Sequence, residues 1–168
     1  MFNVQHASGK DIPLIKNLAD EVWPQTYSSI LTPQQTDYMM ELMYSEPSLQ
    51  KQMEKGHRFL LLLDDEHPVG FASYSAIEPA LFKLHKIYVL APMQGRGAGK
   101  FFMKYIIGEI QKKGAGILRL NVNRHNKARS FYDKLGFQLV GEEDVDIGNG
   151  YFMNDYIMEK DLNKNTNS

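Results

Sequence analysis

A glycine-rich segment, residues 94–100, constrains this chain more than any other feature and is called the glycine loop below. It follows an apolar, strand-like stretch at residues 81–90 and precedes a strongly amphipathic segment at residues 101–113. Glycines before a helix N-terminus expose backbone N–H groups to the positive end of the helix dipole, which favours binding of a phosphate. A second strand at residues 117–122 predicts a right-handed crossover between two parallel strands.

Further strands and helices are predicted around this crossover. Alternating or apolar runs between turn residues predict strands at residues 2–7, 58–63, 69–77, 137–141 and 151–158. Start signals and helical spacing predict helices that begin near Ser8, Thr32 and Pro47, and another over residues 127–135. The pattern predicts an α+β fold with a mixed, mostly antiparallel sheet of about six to seven strands, flanking helices and one parallel crossover.

Length and composition exclude several classes of protein. At 168 residues the chain can bury one core, and we expect a single domain over residues 1–162 and a disordered tail at residues 163–168. The chain has no cysteine, which excludes disulfide frameworks, thiolate metal sites and a cysteine nucleophile. No apolar run is long enough to span a membrane, and no signal-peptide pattern is present, so we expect a cytoplasmic protein.

The net charge of −1 argues against a nucleic-acid binder, but it conceals an uneven distribution. Residues 83–134 contain 12 Lys and Arg against 2 Asp and Glu. Residues 1–82 contain 5 against 11, and residues 135–168 contain 2 against 7. The basic segment includes the glycine loop, so it indicates either an anionic ligand on that loop or solvated helix faces.

Two well-known phosphate loops do not fit the spacing. A Walker A loop needs glycine five positions before Gly99 and Ser or Thr after Lys100, but the chain has Gln94 and Phe101 there. A dinucleotide fingerprint that starts at Gly95 needs glycine at position 100, which is lysine. We therefore expect neither a P-loop NTPase nor a Rossmann enzyme.

The spacing Gln94-x-x-Gly97-x-Gly99 resembles the pyrophosphate loop of the GCN5-related N-acetyltransferases. Residues 84–89 before the loop and the Asn-Lys-Ala-Arg-Ser-Phe-Tyr-Asp-Lys-Leu-Gly-Phe segment at residues 126–137 are similar to the same family, and the resemblance covers about residues 69–160. In a second, looser resemblance, Trp-Pro-Gln-Thr-Tyr at residues 23–27 and Pro-Val-Gly-Phe at residues 68–71 are similar to bacterial members that acetylate polyamines or other small amines.

The resemblance implies that acetyl-CoA is the co-substrate. In the family the strand before the loop pairs with the pantetheine arm, which would lie here along the backbone of Ile87, Tyr88 and Val89. The loop and two residues much further along the chain would supply the other cofactor contacts. These residues are Gln94, Gly95, Arg96, Gly97, Ala98, Gly99, Lys100, Asn126 and Lys134.

The resemblance also implies that Tyr132 is the general acid that protonates the departing thiolate. Because an alkylamine is protonated at neutral pH, the reaction needs a base as well. His85, with an ordinary pKa near ~6.5, is the candidate, and Glu78 and a water chain are the alternatives. The histidines lack metal-ligand spacing, so no metal is expected. Without a cysteine to form an acyl-enzyme, we expect direct attack by the amine in a ternary complex.

The expected acceptor is a small-molecule primary amine such as a polyamine. A protein or peptide amine is the alternative acceptor, and a non-catalytic acyl-CoA-binding sensor is the alternative function. No nucleic-acid or membrane partner is expected, and both a monomer and a homodimer are compatible with the sequence.

Overall fold

The computed structural model describes residues 1–163. Its strands are β1 Phe2–His6, β2 Arg58–Asp64, β3 His67–Glu78, β4 Leu81–Val89, β5 Ile117–Asn123, β6 Gln138–Gly148 and β7 Tyr151–Asp161. Its helices are α1 Ile12–Tyr27, α2 Pro33–Tyr44, α3 Glu46–Glu54, α4 Ala98–Gln111 and α5 Ala128–Lys134. Apart from Asn163, the predicted tail at residues 163–168 lies outside the described residues.

The strands form a seven-stranded sheet in the order β1-β2-β3-β4-β5-β7-β6. β1 with β2, β2 with β3, β5 with β7 and β6 with β7 are antiparallel pairs, whereas β4 and β5 are parallel. The α+β prediction, with a mostly antiparallel sheet and one parallel crossover, is therefore confirmed.

The parallel ladder between β4 and β5 is short. It runs from Leu81, opposite Ile117, to Leu84, opposite Leu120. β5 continues beyond this point to Asn123 while it pairs with β7 on its other side. Parallel strands pair through evenly spaced backbone hydrogen bonds, so the end of the ladder leaves the later residues of both strands without this pairing.

The chain groups into two compact units. The first contains Met1–Ser75 and Lys86–Tyr105, and its core includes Trp23, Phe59 and Phe71. The second contains Ala76–His85 and the chain from Ile106 onward, and its core includes Leu118 and other apolar residues. These further core residues are Ile110, Leu120, Phe137 and Met158. The single domain expected over residues 1–162 stays a prediction.

Local signals explain where the first helices begin. The Thr32 hydroxyl accepts the Gln35 N–H at 3.1 Å, and Pro33 occupies the first helical position of α2, as the sequence predicts. The signal at Ser8 instead starts a short 3₁₀ turn, Gly9–Asp11, and α1 begins after it.

Several element boundaries differ from the sequence-based expectation, and β7, for example, continues to Asp161 rather than ending at residue 158. α4 begins at Ala98 rather than at residue 101, so the last three residues of the glycine loop belong to its first turn. β6 continues to Gly148 rather than ending at residue 141, because it pairs with β7 along its length and a glycine-rich turn at residues 148–150 connects the two strands. β6 lies at the end of the sheet and carries Glu142, Glu143, Asp144 and Asp146.

Candidate active site

The glycine loop adopts a backbone that suits an anionic ligand. Gly95 and Gly97 have φ angles of 84° and 79°, in the left-handed region that favours glycine. A Cβ added at either position would meet no atom within 4 Å, so open space lies above both residues. α4 follows immediately at Ala98, and the first N–H groups of a helix have no partner within the helix. The loop therefore fits a phosphate group.

Two polar side chains of the loop bind elsewhere in the first unit. Gln94 Nε2 donates to the Val89 carbonyl at 3.1 Å and fixes the loop to the end of β4. Arg96 Nη1 lies 3.4 Å from Asp64 Oδ2, and its guanidinium lies 5.8 Å from the ring centre of Phe2. The Arg96 charge is thus paired with an acid of β2, so the loop offers a ligand mainly its backbone.

β3 approaches β4 closely just before the glycine loop. A Cβ on Gly70 would lie 2.5 Å from the Tyr88 carbonyl oxygen and 3.3 Å from Val89 Cα. The Leu90 N–H donates to the Val69 carbonyl at 2.8 Å. Only glycine fits at position 70, and this packing fixes the end of β4 from which the loop begins.

Five aromatic residues of the first unit, Trp23, Tyr27, Tyr44, Phe71 and Tyr88, form what we call the aromatic cluster. Their ring centres lie 4.3–6.2 Å apart in the contacting pairs. Trp23 Nε1 donates to the Tyr44 hydroxyl at 3.1 Å, and the Tyr27 and Tyr88 hydroxyls are 3.2 Å apart. Residues from α1, α2, β3 and β4 are joined in this way, with their polar ends hydrogen-bonded.

Lys86 lies against the aromatic cluster and was not a candidate in the sequence analysis. The residue is 9% exposed, and its Nζ lies 5.2 Å from the ring centre of Tyr44. Burial lowers the pKa of Lys86 to about 8. Strand alternation could have found it, because Lys86 continues the buried face formed by Phe82 and Leu84.

α5 of the second unit carries the predicted general acid. Tyr132 is 8% exposed, with ring centres 5.4 Å from Phe131 and 5.8 Å from Phe137. Directly before the helix, Asn126 Oδ1 accepts the Ala128 N–H at 2.9 Å. Lys134 is exposed in the last turn.

The two candidate bases belong to the second unit. His85 is half-buried on β4, on the face opposite to Leu84 and Lys86. Glu78 is exposed at the end of β3. The structure therefore places the glycine loop and Ile87–Val89 in the first unit, and His85, Glu78 and the α5 residues in the second.

Other possible sites contain none of the predicted residues. A cavity of about 420 Å³ in the first unit is lined by residues that include His6, His57 and Arg58.

Within residues 1–163, no group of three or more His, Asp or Glu side chains is arranged to hold a metal ion. No helix in that part of the chain is long and apolar enough to cross a membrane.

Comparisons with known proteins find relatives that are N-acetyltransferases. A curated relative, the [ribosomal protein bS18]-alanine N-acetyltransferase of Haemophilus influenzae, is 33% identical over 102 residues, which are 58% of this chain and 64% of that protein. The 5-NmdU N-acetyltransferase of Pseudomonas phage PaMx11 is 40% identical over 60 residues, which are 35% of this chain and 41% of that protein. The chain thus spans less than two thirds of the length of either relative.

A solved structure covers nearly the whole chain. The PaiA N-acetyltransferase of Thermoplasma acidophilum in complex with coenzyme A is 26% identical, with a TM-score of 0.81, and the match covers 96% of this chain and 99% of that one. The family model described as an acetyltransferase (GNAT) domain matches residues 28–159, which include the glycine loop and α5. The chain therefore belongs to the GNAT acetyltransferase family.

Proposed function

We propose that this protein is an acetyl-CoA-dependent N-acetyltransferase that acetylates a primary amine, a small molecule such as a polyamine, in the cytoplasm. The observation that carries the proposal is the pair of left-handed glycines, Gly95 and Gly97, with open space above them at the start of α4. Family membership supports the activity, and one similar structure contains coenzyme A.

The cofactor supplies an acetyl group activated as a thioester. The backbone N–H groups of residues 94–100 would bind its pyrophosphate, and Lys100 would add positive charge. The backbone of Ile87–Val89 would pair with the pantetheine amides, which is supported by the end of the β4–β5 ladder at Leu84. Asn126, two residues before α5, and Lys134 in its last turn would add contacts.

Two proton transfers accompany the reaction. Deprotonating an alkylamine with a pKa of about 10.4 costs about 4–5 kcal/mol at pH 7, so a base must remove the proton. His85, Glu78 and a water chain are the candidates for this base. Tyr132 would give its hydroxyl proton to the departing thiolate. Direct attack in a ternary complex is supported by the absence of cysteine from the sequence.

A protein acceptor is the second candidate. The Haemophilus influenzae relative, 33% identical over 102 residues, is named for an alanine of ribosomal protein bS18. The N-terminal amine of a peptide presents the same neutral nucleophile once it loses a proton, so the chemistry required of the site is unchanged.

Release of free thiol from acetyl-CoA tests the proposal. Spermidine, an arylalkylamine, an aminoglycoside and a short peptide with N-terminal alanine are offered in turn. We expect turnover with at least one small amine. The Tyr132→Phe variant should lower kcat by about 100-fold or more without a matching loss of acetyl-CoA affinity, because the ring stays and only the acid is lost.

Tyr105→Phe on α4 is the matched control, since this half-exposed tyrosine has no predicted role. Turnover with the peptide alone would favour a protein acceptor. Tight acetyl-CoA binding without turnover of any amine would favour the sensor. Equal losses of kcat and affinity in Tyr132→Phe would assign the tyrosine a structural role.

A further inference from the structure

Lys86 is a buried amine that lies against an aromatic ring. The residue is 9% exposed, and its Nζ lies 5.2 Å from the ring centre of Tyr44. Within residues 1–163, no Asp or Glu pairs with this Nζ. A cation–π contact compensates only part of the cost of removing an ammonium group from water. A buried lysine of this kind gives up its proton more readily than an exposed one.

The group in contact with Lys86 is aromatic. It is the ring of Tyr44 on α2, which itself packs against Trp23 of α1 and Phe71 of β3 in the aromatic cluster. Burial raises the pKa of the Tyr44 hydroxyl, so this group stays neutral across the physiological range. Burial alone lowers the pKa of Lys86 to about 8, since no charged neighbour contributes. Lys86 is therefore the member of this group whose charge changes near pH 8.

The position of Lys86 on β4 connects it to the proposed reaction. The residue directly precedes Ile87–Val89, which we propose to bind pantetheine, and Tyr88 belongs both to that segment and to the aromatic cluster. The substrate amine has a pKa of about 10.4, and an ordinary histidine has a pKa of about 6.5. The equilibrium constant for proton transfer from the amine to a base of pKa about 8 is therefore roughly 30-fold larger than that for transfer to the histidine. Buried lysines with lowered pKa values serve as bases in other enzymes.

We propose that Lys86, rather than His85, accepts the proton that the amine substrate must lose. This inference rests on the proposed acetyltransferase function. The neutral Nζ takes the proton, so an Nζ–H bond forms as an N–H bond of the substrate ammonium breaks. The freed lone pair forms the C–N bond with the acetyl carbon, the C–S bond breaks with its electrons on sulfur, and Tyr132 protonates that sulfur. The nitrogen that now carries the acetyl group gives up its second N–H proton to the Tyr132 phenolate, which restores the phenol. Lys86 then returns its proton to solvent.

The pH dependence of kcat/KM in three variants tests the proposal. Lys86→Arg keeps a cation over Tyr44 but cannot accept a proton, Lys86→Met removes the charge and keeps an unbranched chain, and His85→Gln removes the rival base. We expect the wild-type rate to rise with a midpoint near pH 8. Both Lys86 variants should fall by about 100-fold or more and lose that midpoint, whereas His85→Gln should keep it.

A Lys86→Arg variant with the wild-type rate and pH profile would overturn the proposal, because arginine can preserve packing but not proton transfer. Acetyl-CoA affinity and urea unfolding of each variant separate loss of the base from loss of the fold. If Lys86→Arg is unfolded, Lys86→Met decides by the same criteria.

A titration of the free protein adds a readout that needs no turnover. With lysine labelled at ¹³Cε, we expect one NMR signal, absent from Lys86→Met, to titrate near pH 8 while exposed lysines titrate near their ordinary pKa. An ordinary midpoint for Lys86 would overturn the inference. A wild-type protein that turns over no amine would refute the proposed function and this inference with it, whereas an active Lys86→Arg variant refutes the inference alone.

Discussion

The glycine loop and the aromatic cluster belong to the same compact unit and are built in opposite ways. The loop is one short stretch of sequence, largely exposed, and it presents backbone to open space through Gly95 and Gly97. The cluster unites side chains from four elements, and Trp23 and Tyr44 within it are 2% and 1% exposed. A local backbone motif and a long-range side-chain assembly therefore lie in one unit.

The contrast indicates a division of tasks. A backbone loop recognises the invariant charge of a phosphate and needs only the correct φ angles, so side-chain changes there are tolerated unless they add a Cβ at a left-handed position. The cluster lies against Lys86 through Tyr44, and burial lowers the pKa of this lysine to about 8. We therefore expect variants of the loop to change cofactor affinity, and variants of the cluster to change stability and pH dependence.

The largest effect is expected for Gly97→Val. The substitution places a β-branched side chain at a φ of 79° and in the space left open for pyrophosphate. Acetyl-CoA affinity, measured by calorimetry, should fall more than about 1,000-fold, or about 4 kcal/mol. Gly114→Val, at a φ of 91° with equally open surroundings, is the control for backbone strain and should leave the affinity unchanged. Unchanged affinity in Gly97→Val would mean that the loop does not bind the cofactor.

A smaller effect is expected when the cluster is tested through pH. The folded-state pKa of Lys86, about 8, lies below the unfolded value near ~10.4, so between these values the unfolded chain binds more protons and stability rises with pH. The free energy of unfolding of the wild type relative to Lys86→Met should increase by about 2.5 kcal/mol from pH 8 to pH 10.5. Urea unfolding at several pH values measures this difference. If the difference between wild type and Lys86→Met does not change with pH, Lys86 is solvated.

The smallest effect is expected for Tyr44→Phe. The change keeps the ring that faces Lys86 but removes the hydroxyl that accepts the Trp23 Nε1–H, which leaves a buried donor without this partner. The free energy of unfolding should fall by about 1–2 kcal/mol while acetyl-CoA affinity stays the same. Tyr105→Phe, whose side chain is 37% exposed, is the matched control and should lose less than about 0.5 kcal/mol. A loss of cofactor affinity in Tyr44→Phe would contradict the division of tasks.

The parts of the fold that depend on local chemistry could be predicted from the sequence. The Thr32 cap, the turn at residues 148–150 and the strand, glycine loop and helix of the crossover all follow from residue types a few positions apart. The hydrogen bond from the Ala128 N–H to Asn126 Oδ1 likewise spans only two residues. Such features need no knowledge of distant contacts.

The remaining features depend on contacts between distant residues. Arg96 pairs with Asp64, 32 positions earlier, and residue types near Arg96 in the sequence do not indicate this contact. Strand alternation places Lys86 on the buried face of β4, but its contact with the Tyr44 ring joins residues 42 positions apart. The length of β6 similarly depends on pairing with β7.

The acidic residues of β6 have a consequence for assembly. β6 ends the sheet, so its outer backbone groups could pair with a strand of another molecule. Two copies that joined through this strand would bring Glu142, Glu143, Asp144 and Asp146 of each chain against the same residues of the other. Like charges opposite each other in a ladder repel. β6 therefore resists the intermolecular sheet extension from which β-aggregates grow.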